Sequence, residues 1–178
     1  MGSLKDKAAL VTGGGSGIGA AIADAFAAAG AAVAVSGRRD GPLTVTAARI
    51  TDSGGTAMAV TADVTDLDAM ADAARRVTSR FGRLDIVMAN AGIATTGRSL
   101  LDYDPAEWQQ TLDIDLTGVW NTAKATVPAM KERGGSFIVI GSGLARVSGG
   151  GGGPYAVAKA GAGALTQFGT QAPPFRAG

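Results

Sequence analysis

The sequence predicts an α/β fold, a doubly wound parallel sheet with helices on both faces, and three observations carry that expectation. Short apolar runs alternate with longer helix-like stretches. The runs are apolar throughout rather than at every second position, which is how strands covered on both faces read. A glycine-rich turn stands where the first run meets the first helix. Strands and helices in alternation, joined by right-handed crossovers, give a parallel sheet.

The expected strands are 8–12, 32–36, 57–61, 84–89 and 136–140, and the expected helices are 17–29, 43–53, 66–81, 104–131 and 155–168. Gly30 ends the first helix, and the second strand follows at once. Asp104 and Pro105 start the long fourth helix, a capping residue followed by proline at the first helical position. Gly134 and Gly135 end it before the fifth strand. The glycine run at 149–153 is expected to be a flexible loop. Gly169 and the Pro173-Pro174 pair stop the last helix.

A chain of 178 residues suggests one domain, expected as 1–168 with an off-pattern tail at 169–178. With 46% hydrophobic and 17% charged residues, a packed core is within reach and disorder is disfavoured. The net charge of +1, with no basic run beyond Arg38-Arg39, gives no reason to expect nucleic acid or a membrane surface as partner. The absence of cysteine excludes disulfides and thiolate metal sites. The absence of histidine removes Ser-His-Asp hydrolysis and the commonest metal ligand. The polar start at 1–7 is not a signal peptide, and the most apolar stretch, 25–35, is too short to span a bilayer. A soluble, cytoplasmic protein is the expectation.

The turn reads Thr12-Gly13-Gly14-Gly15-Ser16-Gly17-Ile18-Gly19. Glycines let the backbone bend sharply and approach a pyrophosphate, and the helix that follows presents free N–H groups and the positive end of its dipole. Gly19 lets helix and strand pack closely. No Lys-Ser/Thr follows, so this is not a P-loop, and the spacing, Thr-Gly-x-x-x-Gly-x-Gly, differs from Gly-x-Gly-x-x-Gly. That spacing resembles the short-chain dehydrogenase/reductase family, whose fold is a Rossmann-type sheet.

The resemblance extends along the chain and implies a site residue by residue. Thr12, Gly13, Gly15, Ser16, Gly17, Ile18 and Gly19 match the cofactor turn. Asp63 and Val64 match the positions that frame the adenine, although a helix-cap region reads the same way. Asn90, Ala91 and Gly92 match the segment that braces the sheet and lets backbone approach the cofactor. Position 37, where NAD-type members carry Asp, is Gly, and Arg38 follows. An arginine there suits a 2′-phosphate, so NADP(H) is favoured and NAD(H) is possible; a solvated arginine pair is the alternative.

Ser142, Tyr155 and Lys159 match the catalytic residues. Tyr155 and Lys159 are four apart and share a helix face, with Ser142 thirteen positions before Tyr155. The resemblance makes Tyr155 the acid/base. A tyrosine ordinarily titrates near ~10, so it needs a neighbouring cation to serve at neutral pH, and Lys159 with the positive nicotinamide ring is implied in that role. Lys159 also holds the nicotinamide ribose, and Ser142 stabilises the substrate oxygen. Asp115 stands where the family has an Asn that helps hold a proton-relay water; an Asp can still accept that hydrogen bond but adds a negative charge near Lys159. A plain helix residue is the other reading of Asp115.

The match runs from residue 7 to about 166, and then the chain leaves the pattern. Family members add further strands and a lid beyond this point, so the sequence reads as a truncated or frameshifted member with a sheet incomplete at its C-terminal edge. Two functions follow. One is an oxidoreductase moving a hydride between NADP(H) and a ketone or secondary alcohol. The other is a remnant that binds nucleotide or dimerises without turnover. The implied substrate is a small carbonyl or alcohol, with 94–97, 144–147 and 149–153 as expected pocket walls, and the implied assembly is a homodimer or homotetramer.

Overall fold

The computed structural model describes residues 3–131, 133–146 and 151–169. The expected tail from 170 onward, and positions 147, 149 and 150 of the two expected pocket walls, lie outside the described residues. Five parallel strands form one sheet in the order β3-β2-β1-β4-β5: β1 (Ala8–Thr12), β2 (Ala32–Gly37), β3 (Thr56–Thr61), β4 (Ile86–Ala89) and β5 (Ser136–Val139). The chain runs outward from β1 to β3, then returns to the other side of β1 for β4. This reversal opens a crevice at the C-terminal ends of β1 and β4, where open α/β sheets take ligands.

Each strand residue packs on the face its parity dictates. Leu10, Ala34 and Val87 point to one face and join Met70, Ala73 and Val77 of α3 (Leu67–Phe81) and Met130. Val11, Val33, Val35 and Met88 point to the other and meet Ala23 of α1 (Gly17–Ala28) and Leu43 and Ile50 of α2 (Asp40–Asp52). Two covered faces explain why these strands carry no polar alternation. At the edge, β5 is only partly covered, and no strand lies beyond it among the described residues.

Local signals place the helices. Asp66 caps α3 by accepting the N–H groups of Asp68 and Ala69, and Gly82, at φ 74°, ends it. Asp104 and Glu107 form a reciprocal capping box ahead of Pro105. The expected helix 104–131 is not one α-helix. It divides into α4 (Pro105–Leu112), a π-helical turn (Asp113–Thr117) and α5 (Gly118–Met130). At the π turn the Gly118 N–H reaches back to the Asp113 carbonyl, five residues earlier. No glycine or proline stands within 113–117, so no breaker in the sequence marks the turn. The last helix, α6 (Gly153–Gly169), starts inside the expected glycine loop. The second helix starts earlier than expected, at Asp40, with Pro42 in its first turn, and the fourth strand starts later, at Ile86, although the Asp85 backbone just before it already bonds to Ala8 and Ser136 of the flanking strands. No helix among the described residues is long and apolar enough to cross a membrane.

Candidate functional site

The crevice is built from the seam between β1 and β4. Thr12 is buried at the end of β1, and its hydroxyl accepts the N–H groups of Asn90 and Ala91, both at 3.0 Å, while donating to Met88 O at 3.3 Å. Asn90 returns the contact: its Nδ2 donates to Thr12 O at 2.9 Å and lies 3.5 Å from Gly13 O. The glycine turn is thus tied to the segment after β4, and the Gly14 N–H ties it to Ser36 O of β2 at 3.1 Å. A Cβ on Gly19 would strike Gly13 O and lie 2.5 Å from Asn90 Nδ2, so the first turn of α1 comes this close only because residue 19 has no side chain.

Above this seam lies a cleft of about 350 Å³. Gly13, Gly15, Ser16, Ile18 and Gly19 line one wall; Gly37, Arg38 and Arg39 line another with Pro42 and Leu43 of α2. Ala62, Asp63 and Val64 come from the end of β3, and Asn90, Ala91, Gly92 and Ile93 from the end of β4, with Ile114 beneath. Ser16 at the start of α1 makes no side-chain capping bond among the described residues, and the first turn carries no acid. Its N–H donors are therefore open to an anion. Arg38 and Arg39 are exposed and form no ion pair among the described residues. The nearby carboxylate in sequence, Asp40, accepts from the Thr61 and Thr44 hydroxyls at 3.2 and 3.4 Å. Asp63 accepts the N–H and hydroxyl of Thr65 with one oxygen, Oδ1. Backbone donors, a glycine floor and unpaired arginines suit a dinucleotide.

The second group stands at the Gly92 end of the cleft. Lys159, one helical turn after Tyr155 on α6, is almost fully buried, donates to Ile140 O at 3.0 Å and lies 5.7 Å from the centre of the Tyr155 ring. Asp115, on the π turn, is completely buried. Its Oδ1 accepts the Ile93 N–H at 2.8 Å, and its Oδ2 has no hydrogen-bond partner among the described residues. A Cβ on Gly92 would lie 2.8 Å from Asp115 Oδ1 and 3.5 Å from Lys159 Nζ. Gly92 therefore joins the cleft to this buried pair. Ser142 follows β5, and its Oγ accepts the Leu144 N–H at 3.3 Å, closing a 3₁₀ turn (Gly143–Ala145) on which α6 packs.

Of the residues singled out from the sequence, Gly13, Gly15, Ser16, Ile18, Gly19, Arg38, Asp63, Val64, Asn90, Ala91 and Gly92 line the cleft. Thr12 and Gly17 do not; the Thr12 hydroxyl serves the sheet seam instead. Ser142, Tyr155, Lys159 and Asp115 also lie outside the lining, and no hydrogen bond joins the side chains of these four among the described residues. Asn121 of α5 is a residue the sequence reading missed. It is buried, and its Nδ2 donates to Val64 O at 2.9 Å, which fixes the Asp63-Val64 wall. The signal for it was present, a polar amide on the inward stripe of an apolar helix.

Charge in this group is costly. Burial pushes the Asp115 carboxyl above the usual carboxylate range, against the Ile93 N–H and the Lys159 charge, which pull it down. Burial likewise pushes the Lys159 ammonium below its usual range, against the Asp115 charge. A carboxyl raised in the folded state favours folding below its ordinary pKa and loses that advantage as pH rises through the folded value. Asp115→Asn is therefore expected to melt higher than the wild type at pH 8, with the gap shrinking towards pH 4. Thermal melts across that range check it; a lower melting temperature at pH 8 would remove the argument.

The sequence profile of the short chain dehydrogenase family matches residues 7–171. A cis-4-hydroxycyclohexanecarboxylate dehydrogenase of Sinomonas cyclohexanicum is 39% identical over 166 residues, covering 93% of this chain and 66% of that protein. The crystal structure of a short-chain type dehydrogenase/reductase from Mycobacterium marinum superposes with a TM-score of 0.90 at 34% identity, covering 96% of this chain and 71% of that one. A short chain dehydrogenase from Burkholderia cenocepacia in complex with NADP superposes at 0.86 with 39% identity, covering 93% and 67%. The chain spans just under two thirds of the length of the first curated relatives it matches.

Proposed function

The chain belongs to the short-chain dehydrogenase family, and from that premise we propose that it is an oxidoreductase acting between NADP(H) and a ketone or secondary alcohol. The observation that carries the reading is the continuity of the cleft from the glycine turn and Arg38 to Gly92, which abuts Asp115 and Lys159. When bound, the nicotinamide supplies or takes up the hydride. The rest falls to the side chains of this chain. Tyr155 Oη gives a proton to the substrate oxygen in reduction and takes it in oxidation. The Lys159 ammonium stabilises negative charge on the Tyr155 phenol oxygen and holds the ribose. Ser142 Oγ accepts from Leu144, which leaves its own proton free to donate to the substrate oxygen. Asp115 fixes the Ile93 N–H and stands beside Lys159 as the only charged neighbour acting on it among the described residues.

Arg38 supports the preference for NADP(H). It lines the cleft without an ion pair among the described residues, and the strand end before it is Gly37 rather than an acid. The related Burkholderia cenocepacia structure holds NADP. Arg38→Asp is expected to weaken NADPH binding about 10- to 100-fold, the loss of one to two charge-assisted hydrogen bonds, and to leave NADH bound as well or better. Fluorescence titration of both cofactors reads the switch. Equal affinities in wild type, unchanged in the variant, would end the preference for NADP(H).

The same titration, followed by turnover of a panel of ketones and secondary alcohols that includes cis-4-hydroxycyclohexanecarboxylate, tests the reading as a whole. A second reading is dinucleotide binding without turnover, with β5 the edge strand of the sheet among the described residues. Binding with no turnover across the panel would favour it. Self-association as a homodimer or homotetramer belongs to the same proposal, supported by exposed Trp120 on α5 and Val157 on α6.

A further inference from the structure

The start of α6 poses a physical problem. Gly151, Gly152 and Gly153 precede Tyr155, and Gly151 and Gly153 both have positive φ, 85° and 42°. Glycine loses more conformational freedom on ordering than any other residue, so such a segment has no preferred place of its own. Yet Tyr155 must stand at a defined point beside Lys159. Something outside the segment has to set it there.

Tyr103 meets the segment directly. Its hydroxyl lies 3.1 Å from Thr95 O and 3.4 Å from Gly151 O, within donating reach of both. Its ring lies flush on Gly153, where a Cβ would fall 2.6 Å from Cζ. Beside it the Gly97 N–H donates to Gly151 O at 2.7 Å, so the two loops touch backbone to backbone. The ring is itself held. The Arg98 guanidinium stacks 4.5 Å from its centre, and Arg98 pairs with Glu107, which belongs to the capping box of α4. A cation is attracted to the face of an aromatic ring, which biases the ring towards one position.

We propose that Tyr103 is a positioning residue that latches the segment after Ile93 onto Gly151–Gly153 and thereby sets where Tyr155 stands at the Gly92 end of the cleft. This rests on the reading of Tyr155 as the acid/base. Tyr103 is not among the cleft-lining residues, and among the described residues its hydrogen bonds go to the backbone of the two loops. The glycines at 97, 151 and 153 are what let the loops meet, because a Cβ on Gly151 would fall 3.0 Å from Gly97 Cα.

The test compares the whole chain with Tyr103→Ala and Tyr103→Phe. NADPH affinity is read by fluorescence, kcat and KM with a carbonyl substrate the wild type turns over, and hydrogen exchange along 93–98 and 151–156. Tyr103→Ala is expected to lower kcat by about 100-fold, the loss a displacement of about 1 Å brings, with KM and NADPH affinity within about threefold. Tyr103→Phe keeps the ring on Gly153 and loses only the hydroxyl, so its kcat is expected to fall between the two. Exchange in the two segments is expected to quicken together. If the alanine variant does not fold, the phenylalanine variant carries the comparison. An unchanged kcat in both variants, a loss matched by weaker NADPH binding, or exchange that quickens in one segment alone would each overturn the latch. A wild type that binds NADPH but turns over nothing would bring down the functional reading instead, and the exchange pattern would still decide whether Tyr103 couples the two loops.

Discussion

Tyr155→Phe is expected to lower turnover by about 10²–10⁴-fold while NADPH affinity stays within about twofold of wild type. The substitution removes one oxygen and nothing else. The ring remains on the first turn of α6, the Lys159 contact at 5.7 Å to its centre survives, and none of the cleft-lining residues is touched. The expected loss equals about 3–5 kcal/mol of transition-state stabilisation, which is what a single positioned proton donor supplies. Steady-state kinetics and a fluorescence titration on the same preparation give both numbers. Turnover that persists near the wild-type level would show that another group moves the proton. An equal loss of affinity would show that the tyrosine serves binding rather than chemistry.

That prediction depends on residues whose types and spacing are local, and local features are what a sequence displays well. The glycine turn at 12–19, the continuous apolar strands and the Asp104-Pro105 helix start all stand where the sequence puts them. Each is decided by neighbours within a few positions. The features that were not legible join residues far apart in the chain. Asn121 bonds Val64 O across 57 positions, Tyr103 reaches Gly151 across 48, and Asp85 takes the Ala8 N–H across 77. A polar residue inside an apolar run carries no sign of its partner until the sheet order brings the two together. The π turn was hidden for a different reason. No glycine or proline within 113–117 marks it, yet it is what places Asp115 under Gly92.

Sheet order also accounts for the location of the cleft. β1 is central, with β2 on one side and β4 on the other, and the crevice exists only while β1 and β4 stay in register. Ladder hydrogen bonds alone hold parallel strands with slightly less stability per residue than antiparallel ones. Here the seam carries side-chain ties as well, one at each end. Thr12 and Asn90 close the upper end beneath the cleft. Asp85 closes the lower end.

Asp85→Ala is accordingly expected to destabilise the fold by about 3 kcal/mol, a large share of a net stability of roughly 5–15 kcal/mol. Asp85 is 5% exposed. Its Oδ2 accepts the Ala8 N–H at 2.9 Å and Arg83 Nε at 2.7 Å, and its Oδ1 accepts Arg83 Nη2 and lies 3.6 Å from Lys7 Nζ. Alanine leaves the Ala8 N–H buried without that partner, which is the larger part of the loss. Arg83 and Lys7 are partly exposed and regain water, so the full penalty of a stranded buried charge does not apply. Burial alone would push the Asp85 carboxyl up, but the hydrogen bonds from Arg83 and Ala8, with the charges of Arg83 and Lys7, hold it below the usual carboxylate range. A carboxyl lowered in the folded state contributes its stability above the ordinary value near ~4 and loses it as pH falls through the folded value. Asp85→Asn keeps an acceptor for the Ala8 N–H and is expected to lose less than the alanine variant; its deficit against the wild type holds from pH 5 to 8 and narrows only below about 4, as the wild-type carboxylate takes up its proton. Urea midpoints with unchanged slopes measure each loss, and NADPH affinity of the folded variants should not change, because the tie lies at the opposite end of the strands from the cleft. A loss under about 1 kcal/mol for the alanine variant would mean that the ladder holds β1 against β4 without it.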